Sequence, residues 1–319
     1  MTRTKKALVI GASGQDGSFL CRSLLKKNYS VIGTTRNSCE TPKNHLTLGI
    51  EKDLRVETCD ITNFSNLRKL ISAEYPDEIY NLAAQSSVGI SFTDPLGTIR
   101  SIANGTLNLL ETCKELEYRG QVFFAGSSEI FGNTIEAANI DHLHNPMNPY
   151  AIAKQTSFNL VKIYRRTFGI KCNTGVLFNH ESPLRRNQFV TQKIISGAIE
   201  CSKNKNNKLE LGNLGISRDW GWAEEYVEAI QLINNSDPSK DHIICTGKLT
   251  KLIDFVSIAF AKLNLNYKDH LIINKSNMRH TDIEQSFGNP KPLYDELRWK
   301  AKLNIDEIIE RLIESKISH

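Results

Sequence analysis

Ala7-Leu8-Val9-Ile10-Gly11-Ala12-Ser13-Gly14-Gln15-Asp16-Gly17 joins a short aliphatic run to a G-x-x-G-x-x-G turn. Gly17 to Lys27 then shows helical spacing, with Phe19, Leu20, Leu24 and Leu25 on one side. A strand, a glycine turn and a helix in that order can hold a pyrophosphate. Glycines at 11 and 14 permit a tight turn and close backbone approach, and Gly17 lets helix and strand pack. The helix start offers free N–H groups and the positive end of its dipole. The bland alternative is a tight strand-to-helix turn that binds nothing.

Outward from this turn, strand and helix patterns alternate. Strands are expected at Val31–Thr35, Arg55–Cys59, Glu78–Ala84, Gln121–Gly126 and Lys171–Phe178. Helices are expected at Asn63–Ser72, Ile99–Leu116 and Asn148–Phe168. The rhythm predicts an α/β fold, a doubly wound parallel sheet of the Rossmann type with helices on both faces. After Asn179 the pattern changes to a loop, a helix at Thr191–Cys201, a strand at Leu209–Leu211 and a helix at Trp222–Ile233. A strand at Asp241–Thr246 and helices at Leu252–Leu263 and about Ile305–Ile313 complete the reading. The expected division is a dinucleotide domain over 1–175, rejoined by about 219–247. A smaller interleaved α/β substrate-binding domain takes 176–218 and 248–319.

Composition narrows the classes. The 319 residues are 40% hydrophobic and 24% charged, enough apolar material for a large core. The net charge of +5 is spread along the chain, which suits small anionic substrates better than nucleic acid. Seven cysteines at irregular spacing, with no Cys-x-x-Cys, predict reduced thiols and a cytoplasmic protein. No signal-peptide core or membrane-spanning run is present, so no membrane partner is expected. His142 and His144 lack companions at metal-site spacing, so no metal is expected.

A dinucleotide site needs a second reader about twenty residues beyond the turn. The second strand ends Thr34-Thr35-Arg36 without a carboxylate, and Arg36 can pair with a 2′-phosphate. That favours NADP over NAD, against the alternative of a solvated arginine. Asp60 can accept from an adenine amino group or cap the next helix. Tyr150-Ala151-Ile152-Ala153-Lys154 puts a phenol and an ammonium on one helical face. A free phenol, with a pKa near about 10, is a poor base, and bringing it to about 7 takes roughly 4 kcal/mol. A neighbouring Lys and a positive nicotinamide ring can supply that. Ser127 and Glu129 follow the fifth strand, whose carboxyl end is where ligands sit in such sheets. Ser127 suits a hydrogen bond to a reacting hydroxyl or ketone. Glu129 is unnecessary for simple dehydrogenation or epimerisation. Elimination of water beside a ketone needs it, because one proton must leave carbon and another must reach the departing hydroxyl. The alternative is a helix cap or surface pair.

Gly14-Gln15-Asp16-Gly17-Ser18, Tyr80-Asn81-Leu82-Ala83-Ala84-Gln85-Ser86, Ser128-Glu129 and Pro149-Tyr150-Ala151 together resemble the extended short-chain dehydrogenase/reductases. Leu177-Phe178-Asn179-His180-Glu181-Ser182-Pro183, Leu211-Gly212-Asn213-Leu214 and Arg218-Asp219-Trp220-Gly221 are similar to the GDP-mannose 4,6-dehydratase family within them. The likeness runs from about 6 to 313. It implies a hydro-lyase that converts GDP-mannose to GDP-4-keto-6-deoxymannose with internal hydride transfer through NADP. The implied catalytic set is Ser127, Glu129, Tyr150 and Lys154. The implied cofactor contacts are Gly11, Ser13, Gly14, Gln15, Asp16, Gly17, Arg36, Asp60, Ile61, Leu82, Ala83, Ala84 and Ser86, with Tyr150 and Lys154. Ser86, Asn179, Glu181, Arg185, Lys193, Arg218 and Arg279 would hold the GDP-sugar, the arginines on its diphosphate. A homodimer through helices near 93–116 and 148–170 is expected, with a tetramer as the larger alternative.

Ser87, Phe131, Trp222 and His280 depart from the family's usual residues and bear on the sugar. A GDP-heptose substrate is therefore an alternative, as is an epimerase or 4-ketoreductase of the same fold. An NADP-sensing regulator without turnover would have no need of the tyrosine–lysine pair.

Overall fold

A computed structural model describes residues 3–36, 41–274 and 281–317. Its centre is a parallel sheet. The strands are β1 (Lys6–Ile10), β2 (Ser30–Thr35), β3 (Arg55–Thr58), β4 (Glu78–Asn81), β5 (Gln121–Ser127) and β6 (Cys172–Leu177). Asp241–Ile244 adds a seventh strand beside β6, giving the order 241–244, β6, β5, β4, β1, β2, β3. Chain order reverses at β1, which pairs with β2 on one side and β4 on the other. A crevice opens there, at the strand carboxyl ends.

The aliphatic run of β1 is buried on both faces, as a central parallel strand requires. The helix Gln15–Lys26 turns Phe19, Leu20 and Leu24 inward. With the helix Ala223–Asn234 it covers one sheet face. The helices Phe64–Glu74, Gly105–Glu115 and Pro149–Phe168 cover the other. A separate core forms where the helices Val190–Lys203, Leu252–Ala261 and Ile305–Ile317 pack together.

Local chemistry moves several expected boundaries. The helix expected over Ile99–Leu116 is instead a helix at Pro95–Ile99, a π turn at Arg100–Asn104 and a helix at Gly105–Glu115. Asp94 starts it earlier by accepting from Gly97 N at 2.9 Å, with Pro95 in the first turn. The strand at Asp241–Ile244 stops two residues short of its expected end. Thr246 N and Gly247 N donate instead to the buried Asp219 carboxylate, at 2.9 and 2.8 Å. A parallel pair, Asn179–Glu181 with Trp220–Trp222, was not expected: the chain after Asn179 reads as a loop and Trp222 as the start of a helix.

Candidate active site

The cavity at the strand carboxyl ends has a volume of about 570 Å³. Gly11, Ser13, Gly14, Gln15, Asp16 and Gly17 form one wall. Gly11 sits at φ +88°, and a Cβ there would lie 2.8 Å from the Ala83 backbone. A Cβ on Gly17 would lie 2.3 Å from Gly11 O. Neither position accepts a side chain. The helix that begins at Gln15 carries no side-chain cap, so its N-terminal N–H groups remain available to an anion. These features fit a dinucleotide pyrophosphate.

A segment not anticipated from sequence completes this wall. Pro42, Lys43 and Asn44, at the start of a short helix, line the cavity. Asn44 Nδ2 donates to Ser13 O at 3.0 Å, and the buried His45 Nε2 lies 2.9 Å from Ala12 O. Both bonds tie the helix to the phosphate turn. The only sequence signal was Pro42 ahead of a basic residue, which is too common to carry weight. Arg36 is exposed at the end of β2 and does not line the cavity.

Across the cavity, β5 delivers Ser127, and the tight turn Ser128–Phe131 delivers Glu129. Tyr150 and Lys154 stand on the first turns of the helix Pro149–Phe168. All four line the cavity. Lys154 is buried, and its Nζ donates to Ala125 O at 2.7 Å. The same Nζ stands 5.8 Å from the Tyr150 ring centre. Burial lowers the Lys154 ammonium to about 8. Burial also pushes the Tyr150 phenol up to about 12, against a hydrogen bond from Ser127 that works the other way. A positive nicotinamide ring together with the Lys154 ammonium, the two charges expected from sequence, would act against that burial.

Among the described residues, the Glu129 side chain caps no helix and sits in no surface pair. Its Oε2 accepts from Asn148 Nδ2 at 2.8 Å. Asn148 Oδ1 in turn accepts from Ala151 N at 2.8 Å and caps the helix of Tyr150 and Lys154.

The opposite wall comes from the segment after β6. Asn179, Glu181 and Arg185 line the cavity, as does the buried Arg218. Glu181 is buried and accepts from Thr191 Oγ1 at 2.7 Å, and Arg185 Nε lies 3.8 Å away. Burial raises the Glu181 carboxyl, although Arg185 and Thr191 oppose the shift. The Arg185 guanidinium rests 3.7 Å from the Phe189 ring centre, and its buried Nε makes no hydrogen bond among the described residues. That donor suits an incoming anion.

Two residues read as cofactor contacts spend their side chains elsewhere. Asp16 meets His180 Nε2 at 3.0 Å through both oxygens, and Gln15 Oε1 accepts from Ser182 Oγ at 2.7 Å. His180 was not anticipated as part of the site. Its ring stacks on Tyr226 with centroids 4.7 Å apart, and its Nδ1 lies 2.7 Å from Phe178 O.

The remaining expected residues divide. Leu82, Ala84 and Ser86 line the cavity. Ala83 stands behind the turn, against Gly11. Asp60 accepts from Thr62 N at 2.8 Å, while Asn63 caps the next helix, so the capping reading of Asp60 is corrected. Ile61 is buried, and its carbonyl accepts from Asn108 Nδ2 at 3.0 Å. Lys193 is exposed on its helix and away from the cavity wall. Arg279 and His280 lie outside the described residues. Of the departures, Ser87 lines the cavity. Phe131 is buried beside Phe178, His142 and His144, and Trp222 belongs to the second core.

The parallel sheet, the glycine turn and the Ser127–Tyr150–Lys154 arrangement define an extended short-chain dehydrogenase/reductase. Two solved structures share this fold across almost the whole chain. UDP-glucose 4-epimerase of Thermotoga maritima has a TM-score of 0.86 at 19% identity, covering 98% of this chain and 99% of its own. The dTDP-glucose 4,6-dehydratase of Bacillus anthracis has a TM-score of 0.86 at 17% identity, covering 99% and 97%. At such identities the likeness establishes the fold alone. Sequence goes further. GDP-mannose 4,6 dehydratase 1 of Arabidopsis thaliana is 35% identical over 98% of this chain and 90% of its own length. The family model described as GDP-mannose 4,6 dehydratase matches residues 8–312. The chain belongs to that family.

Proposed function

We propose that this chain is an NADP-dependent hydro-lyase that converts GDP-mannose to GDP-4-keto-6-deoxymannose. Beyond family membership, one observation supports this chemistry over epimerisation or ketoreduction. A carboxylate, Glu129, lines the same cavity as Ser127, Tyr150 and Lys154. The Gly11–Gly17 turn and the helix start would hold the pyrophosphate, and Arg36 with Lys43 would attract the 2′-phosphate. Residues 1–175, rejoined by 219–247, would serve the dinucleotide, and the rest the GDP-sugar. When bound, the dinucleotide supplies the hydride acceptor and donor and a positive charge within the cavity.

The chain's own residues move the protons. Tyr150 takes the proton of the hexose 4-hydroxyl while Ser127 hydrogen-bonds the oxygen as it becomes a ketone. That ketone acidifies the neighbouring C5–H. Glu129 removes the C5 proton and passes one to the C6 hydroxyl, which leaves as water; C6 would then take back the hydride and C5 the proton that Tyr150 took, so that both side chains end as they began. Arg185 and Arg218 would grip the diphosphate, a role suited to their planar fork. Reaction of GDP-mannose with catalytic NADP+, followed by mass spectrometry, should give loss of one water with no net NADPH. NAD+ should support a slower reaction. An unchanged GDP-mannose peak beside a dehydrated GDP-heptose would move the assignment to the heptose. Turnover without water loss would move it to an epimerase or reductase.

We further propose a homodimer. Leu96, Ile152 and Ile163 are exposed at 81%, 48% and 53% on the helices Pro95–Ile99 and Pro149–Phe168, the region expected to pair. Leu96→Asp should move sedimentation from dimer to monomer, and an unaltered dimer would place the interface elsewhere.

A further inference from the structure

We propose that Asn148 is the positioning residue of the Glu129 carboxylate, and that one amide thereby sets the two proton-moving groups of the site against each other. The proposal rests on the dehydratase reading, in which Glu129 moves the C5 and C6 protons. Asn148 is 5% exposed and uses both ends of its side chain. Its Oδ1 accepts from Ala151 N at 2.8 Å, which caps the helix Pro149–Phe168. Its Nδ2 donates to Glu129 Oε2 at 2.8 Å. The cap commits the oxygen, so the amide plane is fixed and the N–H can point only toward the carboxylate. Tyr150 follows two residues later and Lys154 four beyond that, on the same capped turns. The phenol and the carboxylate are thus referenced to one rigid group.

The loop that returns the chain to this point is itself anchored at the carboxylate's own turn. Asn145 N donates to Ile130 O at 2.9 Å. Gly132, at φ +64°, passes so close that a Cβ would lie 2.4 Å from Asn145 O. An amide also suits a group that must act first as base and then as acid. It orients the carboxylate yet brings no net charge that would hold it in one protonation state. A lysine or arginine there would add such a charge.

The test separates orientation from capping. Asn148→Ser keeps a good cap acceptor and loses the reach to Glu129, while Asn148→Ala loses both. Each full-length variant is mixed with GDP-mannose and NADP+ and quenched with borodeuteride. Mass spectrometry then counts sugar that gained deuterium with and without loss of water. In Asn148→Ser we expect an unshifted melting temperature and ketone formation at the wild-type rate. Water loss should slow about 10- to 100-fold, the cost of misplacing a reacting group by about 1 Å. Glu129→Gln should show the same partition more severely. Equal loss of both steps in Asn148→Ser, or a wild-type partition there while Glu129→Gln accumulates the hydrated ketone, would reduce Asn148 to a helix cap. A wild-type partition in Glu129→Gln itself would remove the dehydratase reading of that residue, and this proposal with it.

Discussion

Glu129→Gln is expected to retain ketone formation at C4 and to lose dehydration by about 10² to 10⁴, the range a positioned general acid–base group contributes. Glutamine preserves the volume and still offers an oxygen to Asn148 Nδ2, so the 2.8 Å contact and the helix cap survive. Only the proton traffic is removed. In deuterium oxide the wild-type product should carry deuterium at C5, and sugar recovered from the variant should not. Tyr150 and Lys154 are untouched, so C4 chemistry sets the internal standard. The variant thereby separates this chemistry from its rivals. A 4-epimerase or ketoreductase acts at C4 alone and would be indifferent to the change. Wild-type yield of the dehydrated product would show that water leaves by another route.

Much of the fold was legible because parallel sheets advertise themselves. A central strand buried on both faces reads as a nearly continuous apolar run, and Ala7–Ile10 of β1 does. The glycine turn was equally legible, since Gly11 and Gly17 are positions where backbone crowding rejects any side chain. Tyr150 and Lys154 could be paired because a helix converts spacing into a shared face. What could not be read were contacts made by the fold's closure. The Asn148–Glu129 bond joins a tight turn to a helix cap 19 residues on. The Asp16–His180 bond spans 164 residues. No local pattern encodes either. Nor does sequence reveal which charged side chains are already engaged. Asp16, a cofactor contact by the family resemblance, lines the cavity, and its carboxylate also faces His180.

Asp16→Asn is the second large effect expected, and it should depend on pH. Asp16 stands in the first turn of the phosphate-binding helix, where the dipole favours a negative charge. The same place is proposed for a pyrophosphate, which a bare carboxylate would repel. His180 resolves the conflict by facing both Asp16 oxygens at 3.0 Å. Burial works against both charges, yet each outweighs it for the other. The His180 imidazole is raised above its ordinary value, and the Asp16 carboxyl is lowered. Arg185 also faces the pair, lowering both groups. The raised histidine contributes stability that is complete below about 6.5 and fades as pH rises through its folded value. The lowered aspartate contributes above about 3.9 and fades as pH falls through its folded value. Both terms are present together between about pH 4 and 6.5. Removing one member of a buried ion pair costs about 3–5 kcal/mol. The Asp16 side chain keeps 23% exposure, so the lower part of that range or somewhat less applies. Denaturant titrations of wild type and Asp16→Asn should therefore differ most near pH 5.5, and the difference should shrink as pH rises through the folded value of His180. Calorimetry at pH 5.5 should also show weaker NADP+ binding by the variant, because the turn loses its tie to the segment after β6. A stability difference that does not change while the His180 ring, followed by NMR, loses its proton would mean that the pair acts as a hydrogen bond rather than as an ion pair. The phosphate turn would then be held by backbone crowding at Gly11 and Gly17 rather than by charge.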